Sequence, residues 1–153
     1  TDLQSGVAIV FRSGNTGMAV RASSSVPGLF QPVRINGRDY VDGGLVSPVP
    51  VKVARSLGAD VVIAVDISSK PQFARTASSL DVLLQTFNIM GHTIAGHELS
   101  QADVVIRPDV DGMSGRDFQA KHLAIMEGER ALAENLSTLR AKIEAAAGSA
   151  RKR

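Results

Sequence analysis

Asp42-Gly43-Gly44 is the segment of this chain best placed to do chemistry, because a carboxylate that closes a short strand and is followed by two glycines is presented at the mouth of a site. Such a carboxylate can act as a general base provided it stays ionised and incompletely solvated. Side chains at Gly43 and Gly44 would crowd both the backbone reversal and an approaching reactant, so glycine suits both positions. Asp-Gly is also an ordinary turn pair, and the tripeptide alone fits a structural role as well. The other reactive side chains are scattered. His92 and His97 are five residues apart on one predicted helix, so they point about 140° apart and do not form an i, i+4 metal pair. His122 opens the last predicted helix, and structural roles at or near the surface are expected for all three histidines. Ser23, Ser24 and Ser25 form a cluster, yet none occupies a strand-to-helix elbow flanked by glycines. Their expected task is to satisfy backbone groups before Pro27. Gly112-Met113-Ser114-Gly115 is one residue short of Gly-x-Ser-x-Gly and follows no strand, so it reads as a turn. Thr1 acts as a nucleophile through its own α-amine only at a processed terminus.

The elements that must hold these residues follow from pattern. Val7 to Ser13 is β-rich and reads as a strand, with Gly14-Asn15-Thr16-Gly17 as a tight connection. Met18 to Ser25 reads as a short helix stopped by Pro27-Gly28. Val33–Ile35 and Arg38–Asp42 flank Asn36-Gly37, the pair that best accepts the positive φ angles of a type I′ turn, so a hairpin is predicted. Its alternation puts Tyr40 and Asp42 on one face and Val41 on the other. Ser47 is expected to cap a helix that starts with Pro48 and Pro50 and is closed by Gly58. Val61 to Ile67 is a continuous apolar run typical of a strand covered on both faces. Ser68 to Thr76 reads as a polar loop. Leu83, Phe87, Met90 and Ile94 recur at helical spacing from about Ser79, and that helix ends before Ala102. Asp103 to Arg107 is a second apolar strand, residues 109–118 a loop. The last helix is expected from about Ala120 to Ala146 with a stripe of Leu132, Leu136, Leu139 and Ile143. Both helical stripes are expected to face core or to cover the site. Helices alternating with near-continuous apolar strands argue for an α/β fold with central parallel strands.

Arg21-Ala22-Ser23-Ser24-Ser25-Val26-Pro27-Gly28-Leu29-Phe30-Gln31-Pro32-Val33, then Asp42-Gly43-Gly44, then Leu45-Val46-Ser47-Pro48-Val49-Pro50-Val51 together resemble the second half of the bacterial patatin-like phospholipases. The likeness covers most of residues 1–132. It implies a layered sheet with central parallel strands and helices on both faces, of which this chain supplies the second half. It also implies that Asp42 is the acid of a Ser-Asp dyad, supported by Gly43 and Gly44. A serine hydroxyl is a poor nucleophile at neutral pH and needs a positioned base, ordinarily a histidine; in this family the aspartate takes the proton directly. The partner that the resemblance demands, a Gly-x-Ser-x-Gly elbow, occurs nowhere in these 153 residues. Thr1-Asp2-Leu3 resembles a mid-domain segment of the family. The expectation is therefore that an N-terminal half of the same domain, bearing the elbow and the oxyanion loop, precedes residue 1. The implied reaction is hydrolysis of a lipid or other carboxylic ester, without metal or organic cofactor, and the chain alone is expected to be inactive. The rival expectation is a noncatalytic binding or regulatory domain that keeps the patatin-like fold.

Composition bounds these readings. With 44% hydrophobic residues, 153 residues suffice for a domain with a core. Residues 1–147 are assigned to the patatin-like domain and 148–153 to a basic disordered tail. The formal net charge is +2, and Arg151-Lys152-Arg153 contribute +3 of it, so the basic balance is a tail effect and no nucleic-acid partner is expected. Residues 1–58 hold six basic and three acidic residues (+3) against eight and twelve (−4) in 59–150, which puts any attraction for anionic lipid in the Asp42 half. Absence of cysteine excludes disulfides and fits a reducing, cytoplasmic compartment. No apolar run reaches the roughly 18 residues of a membrane span, so membrane contact would be peripheral.

Overall fold

A computed structural model describes residues 1–68, 78–113 and 118–150. It holds helices α1 (Thr16–Ser23), α2 (Val51–Ser56), α3 (Ser79–Leu99) and α4 (Lys121–Ala150), and strands β1 (Val33–Ile35), β2 (Arg38–Tyr40), β3 (Ile63–Val65) and β4 (Val104–Ile106). Two compact units result, Thr1–Pro48 with Lys70–Ala95, and Val49–Ser69 with Gly96–Arg153. Helices combined with a parallel strand pair make the fold α/β, as the sequence pattern predicts.

In the first unit, β1 and β2 pair antiparallel with Val33 opposite Tyr40 and Ile35 opposite Arg38. Asn36 (φ 49°) and Gly37 (φ 81°) both adopt positive φ, which is the predicted type I′ turn. The asparagine tolerates this conformation and the glycine is unhindered in it. Helix α1 begins earlier than expected, because Asn15 serves as its N-cap: its Oδ1 accepts the Met18 N–H at 2.9 Å. Ala22 packs with Val33 and Tyr40 in a small core against which Ile35 leans. Phe11 meets Tyr40 edge-on with ring centroids 5.3 Å apart.

Val7 to Ser13 does not form the expected strand. β-branched residues supply propensity, but a strand also needs a neighbour to complete its ladder. Among the described residues none pairs with this run, and Val7, Ile9, Val10 and Phe11 are exposed. The predicted alternation through Asp42 also ends early, since β2 stops at Tyr40 and both Tyr40 and Val41 are buried.

In the second unit, β3 and β4 run parallel with Ile63 opposite Val104 and Val65 opposite Ile106. Asp103 ties their starts together: its Oδ2 accepts the Val62 N–H at 2.8 Å and pairs with the Arg55 guanidinium. At their ends, the Asp66 N–H reaches Ile106 O at 2.8 Å and its carboxylate pairs with Arg107. Val62 and Ala64 are buried while Ile63, Val65 and Ile67 are exposed, so this run does not have the two covered faces expected of it. Helix α2 starts at Val51, behind both prolines, with Pro50 at its N-cap and no side-chain cap, so Ser47 does not play the predicted part. Two prolines in three residues hold the chain extended before the helix can begin. Gly58 does close α2: its N–H reaches Arg55 O at 2.9 Å, the Ala59 N–H reaches Ala54 O at 3.2 Å, and Gly58 sits at φ +94°. That pair of bonds is a Schellman motif.

Helix α4 packs on β4 through Ala131, with Leu139 alongside, whereas Leu132 and Ile143 of the predicted stripe are exposed. The small alanine lets the helix approach Val104 and Ile106. In α3 the buried residues are Ala95, Glu98 and Leu99; Leu83 and Met90 of the expected stripe are exposed. Helix α4 also runs further than predicted, through Gly148, Ser149 and Ala150, because the alanine-rich run Ala145-Ala146-Ala147 carries helix propensity past a single glycine. Arg151–Arg153, most of the Ser68–Thr76 loop, and Ser114 and Gly115 lie outside the described residues.

Candidate functional site

Asp42 follows β2 after one residue, Val41, and both residues are anchored at the strand's exit. The Val41 N–H reaches Thr1 O at 2.9 Å, and the Asp42 N–H reaches Ser25 O at 3.0 Å. Ser25 is itself buried, with its hydroxyl donating to Arg21 O at 2.8 Å at the end of α1. One of the three clustered serines therefore does satisfy helix-terminal backbone, as expected. Ser23 and Ser24 are exposed.

Asp42 then caps a 3₁₀ turn, Gly43–Leu45, and its Oδ1 accepts the Gly44 N–H at 2.7 Å. This bond fixes the rotamer of the carboxylate, which is half-buried. No hydrogen bond from a described residue reaches its other oxygen, Oδ2. The two glycines have different reasons to be there. A Cβ on Gly44 would lie 3.0 Å from Asp42 Oδ1, tighter than ordinary contact, whereas a Cβ on Gly43 would meet Ser23 Oγ at 3.5 Å. Neither adopts positive φ, so at Gly44 space rather than backbone conformation favours glycine, while Gly43 has room for a methyl group.

The structure brings together Asp42, Gly43, Gly44, Ser23 and Ser25, and keeps the histidines apart from any cluster. His92, His97 and His122 are all exposed. Among the described residues no group of three His, Cys, Asp or Glu side chains is arranged to hold a metal ion. The Thr1 Oγ1 is buried without a hydrogen-bond partner among the described residues, which leaves it no access to a carbonyl carbon.

Two buried carboxylates escaped sequence reasoning. Asp2 is fully buried and binds the N–H groups of Gln4 and Ser5 and the side chain of Arg38. Glu98, in the last turn of α3, accepts the Val49 N–H at 2.8 Å between the two prolines. The signal for Asp2 was the Asp-x-Gln-Ser pattern of an Asx-type turn; nothing local marked Glu98.

The family model for patatin-like phospholipases matches residues 10–55, which include Asp42, Gly43 and Gly44. An uncharacterized NTE family protein of Mycobacterium tuberculosis is 37% identical over 68 residues, 44% of this chain and 19% of that protein. A second uncharacterized NTE family protein of that organism is 30% identical over 155 residues, 85% of this chain and 27% of its own length. A lysophospholipase, NTE1, of Phaeosphaeria nodorum is 38% identical over 81 residues, 52% of this chain and 5% of that protein. The chain thus spans about a quarter or less of the length of these relatives. A capped Asp-Gly-Gly turn behind a type I′ hairpin, a parallel strand pair further on, and matches that extend over both units agree on one assignment: the chain belongs to the patatin-like phospholipase family.

Proposed function

We propose that this chain is the aspartate-bearing part of a serine lipid acyl hydrolase acting on a phospholipid or lysophospholipid ester, with Asp42 as general base and Gly43 and Gly44 keeping its surroundings clear. The observation that carries the reading is the tethering of Asp42 Oδ1 to the Gly44 N–H while Oδ2 receives no bond from a described residue. A base must be held still and yet have one oxygen to offer. The nucleophilic serine and the oxyanion donors belong to a preceding segment of the same domain. In the first step the serine oxygen attacks the ester carbonyl carbon and its proton passes to Asp42. Backbone N–H donors stabilise the tetrahedral oxyanion, which collapses to an acyl-serine as the alcohol leaves with the proton from Asp42. Water then attacks the acyl-serine and loses a proton to Asp42, which passes it to the serine oxygen as the C–O bond to serine breaks and the fatty acid departs. None of these steps calls for a metal. Among the described residues no helix is long and apolar enough to cross a membrane, and peripheral contact is the mode of lipid access that fits this reading.

The test is Asp42→Asn in the full-length protein. Loss of a general base is expected to lower kcat by about 10²–10⁴-fold with the thermal transition unchanged. Fluorophosphonate labelling of a serine in the wild-type protein is expected alongside. Full turnover by the Asn variant would sink the proposal, and a wild-type protein with neither turnover nor a labelled serine would favour the noncatalytic binding domain.

A further inference from the structure

Asp2 is fully buried, and the chemistry proposed above makes no use of it. Its Oδ1 accepts the N–H groups of Gln4 at 3.0 Å and Ser5 at 2.9 Å; its Oδ2 is buried without a hydrogen-bond partner among the described residues and is balanced by an ion pair, 2.8 Å from Nε of Arg38, the first residue of β2. A carboxylate is kept out of water only where partners of this kind replace its hydration. The main chain continues the same connection. The Gly6 N–H reaches Asp2 O at 2.9 Å, and the Leu3 N–H reaches Asp39 O at 2.9 Å. Gln4 grips Asp39 twice: its Nε2 donates to Asp39 Oδ2 at 3.1 Å, and its Oε1 accepts the Asp39 N–H at 3.3 Å. Residues 1–6 are thereby folded into a knot whose contacts fall on Arg38, Asp39, Tyr40 and Val41, the four residues that lead directly into Asp42.

We infer that Asp2 is a positioning residue, whose buried carboxylate fixes the exit of β2 through Arg38 and the 2–6 turn and thereby sets where the Asp42 carboxylate stands. This rests on the reading of Asp42 as the base. Asp42 has two tethers of its own, to Ser25 O and the Gly44 N–H, and both act at or beyond residue 42. The pitch of residues 38–41 is set by the Asp2 knot, with β1 on the other side of the strand. Without that carboxylate, the half-exposed Arg38 side chain is free to turn into water and the 2–6 turn loses both of its side-chain acceptor contacts. A displacement of a base by about 1 Å costs on the order of 10²-fold in rate.

The experiment compares Asp2→Ala and Arg38→Gln with wild type in the full-length protein, by ester turnover and by amide exchange. With kcat expressed per fluorophosphonate-titrated site, so that unfolded molecules do not count, at least a tenfold loss in kcat with KM within twofold is expected. Exchange at the Gly44 amide, which is bonded to Asp42, is expected to speed up at least fivefold while the α4 amides keep their wild-type rates. Arg38 is exposed enough that its variant reports even if Asp2→Ala does not fold. Unchanged Gly44 exchange in the folded variants, or unchanged kcat per titrated site, overturns the inference. Wild-type protein without ester turnover would refute the hydrolase reading, and the exchange comparison would still decide whether Asp2 positions Asp42.

Discussion

Gly44 matters for the room it leaves beside a carboxylate. A methyl group there falls 3.0 Å from Asp42 Oδ1, so either the carboxylate rotates or its 2.7 Å bond from the Gly44 N–H opens. If Asp42 is the base proposed above, Gly44→Ala is therefore expected to lower kcat by about tenfold or more, with little change in melting temperature, since the loss comes from geometric misplacement of that carboxylate. Gly43→Ala meets Ser23 Oγ at an ordinary 3.5 Å and is expected to be the milder of the two. Steady-state kinetics beside a thermal melt of each variant checks both, and equal losses would contradict the spatial argument. Asp42 and its glycines were legible in sequence because the whole motif is contiguous. For Asp2 the local pattern signalled only its turn with Gln4 and Ser5; its burial depends on distant partners that the pattern does not name, Arg38 for its own carboxylate and Asp39, 35 residues on, for Gln4.

Elements were legible where local chemistry alone decides them. Asn36-Gly37 predicted its turn because positive φ is a property of two residues, and Gly58 predicted the end of α2 for the same reason. Elements that depend on neighbours were misread. Val7 to Ser13 has the residues of a strand and no partner among those described, and the face of α4 that meets β4 is centred on buried Ala131 with Leu139 of the predicted stripe beside it, while Leu132 and Ile143 are left exposed. The glycines separate the two kinds of constraint. Gly91 in α3 and Gly128 in α4 have open space where a Cβ would go, so Gly91→Ala and Gly128→Ala are expected to stabilise by about 0.5–1 kcal/mol each through backbone entropy and helix propensity. Gly58→Ala, at φ +94°, is expected to destabilise by about 1–2 kcal/mol. Denaturant midpoints with unchanged m-values would measure all three, and a loss of stability at Gly91 would show that α3 is covered there.

For the molecule as a whole, several carboxylates tie stability to pH. Asp2 is held below the ordinary carboxyl range first by the Ser5 N–H, and Asp103 by the Val62 N–H and then Arg55, in each case against burial. Burial raises Asp66, but its bonds from Ser68 and Arg107 outweigh that and leave it lowered as well. Each group binds its proton more weakly folded than unfolded. Their stabilisation is thus fully present above the unfolded carboxyl pKa of about 4 and is lost as pH falls through the folded values. The melting temperature is expected to be flat from about pH 7 to 5 and to drop below about pH 4, with a shallower drop in Asp103→Asn. A curve as steep in that variant as in wild type would remove Asp103 from the account.

The spacing of the parallel pair has a consequence for synthesis. The β1–β2 hairpin closes over two residues, whereas the bond from the Val62 N–H to Asp103 that opens the β3–β4 ladder spans 41. At about 5–20 residues per second, a translating ribosome delivers β4 roughly 2–8 s after β3. Throughout that interval the Val61–Ile67 run is an unpaired apolar strand in a nascent chain, and it is the segment of this unit on which a cotranslational chaperone would be expected to act.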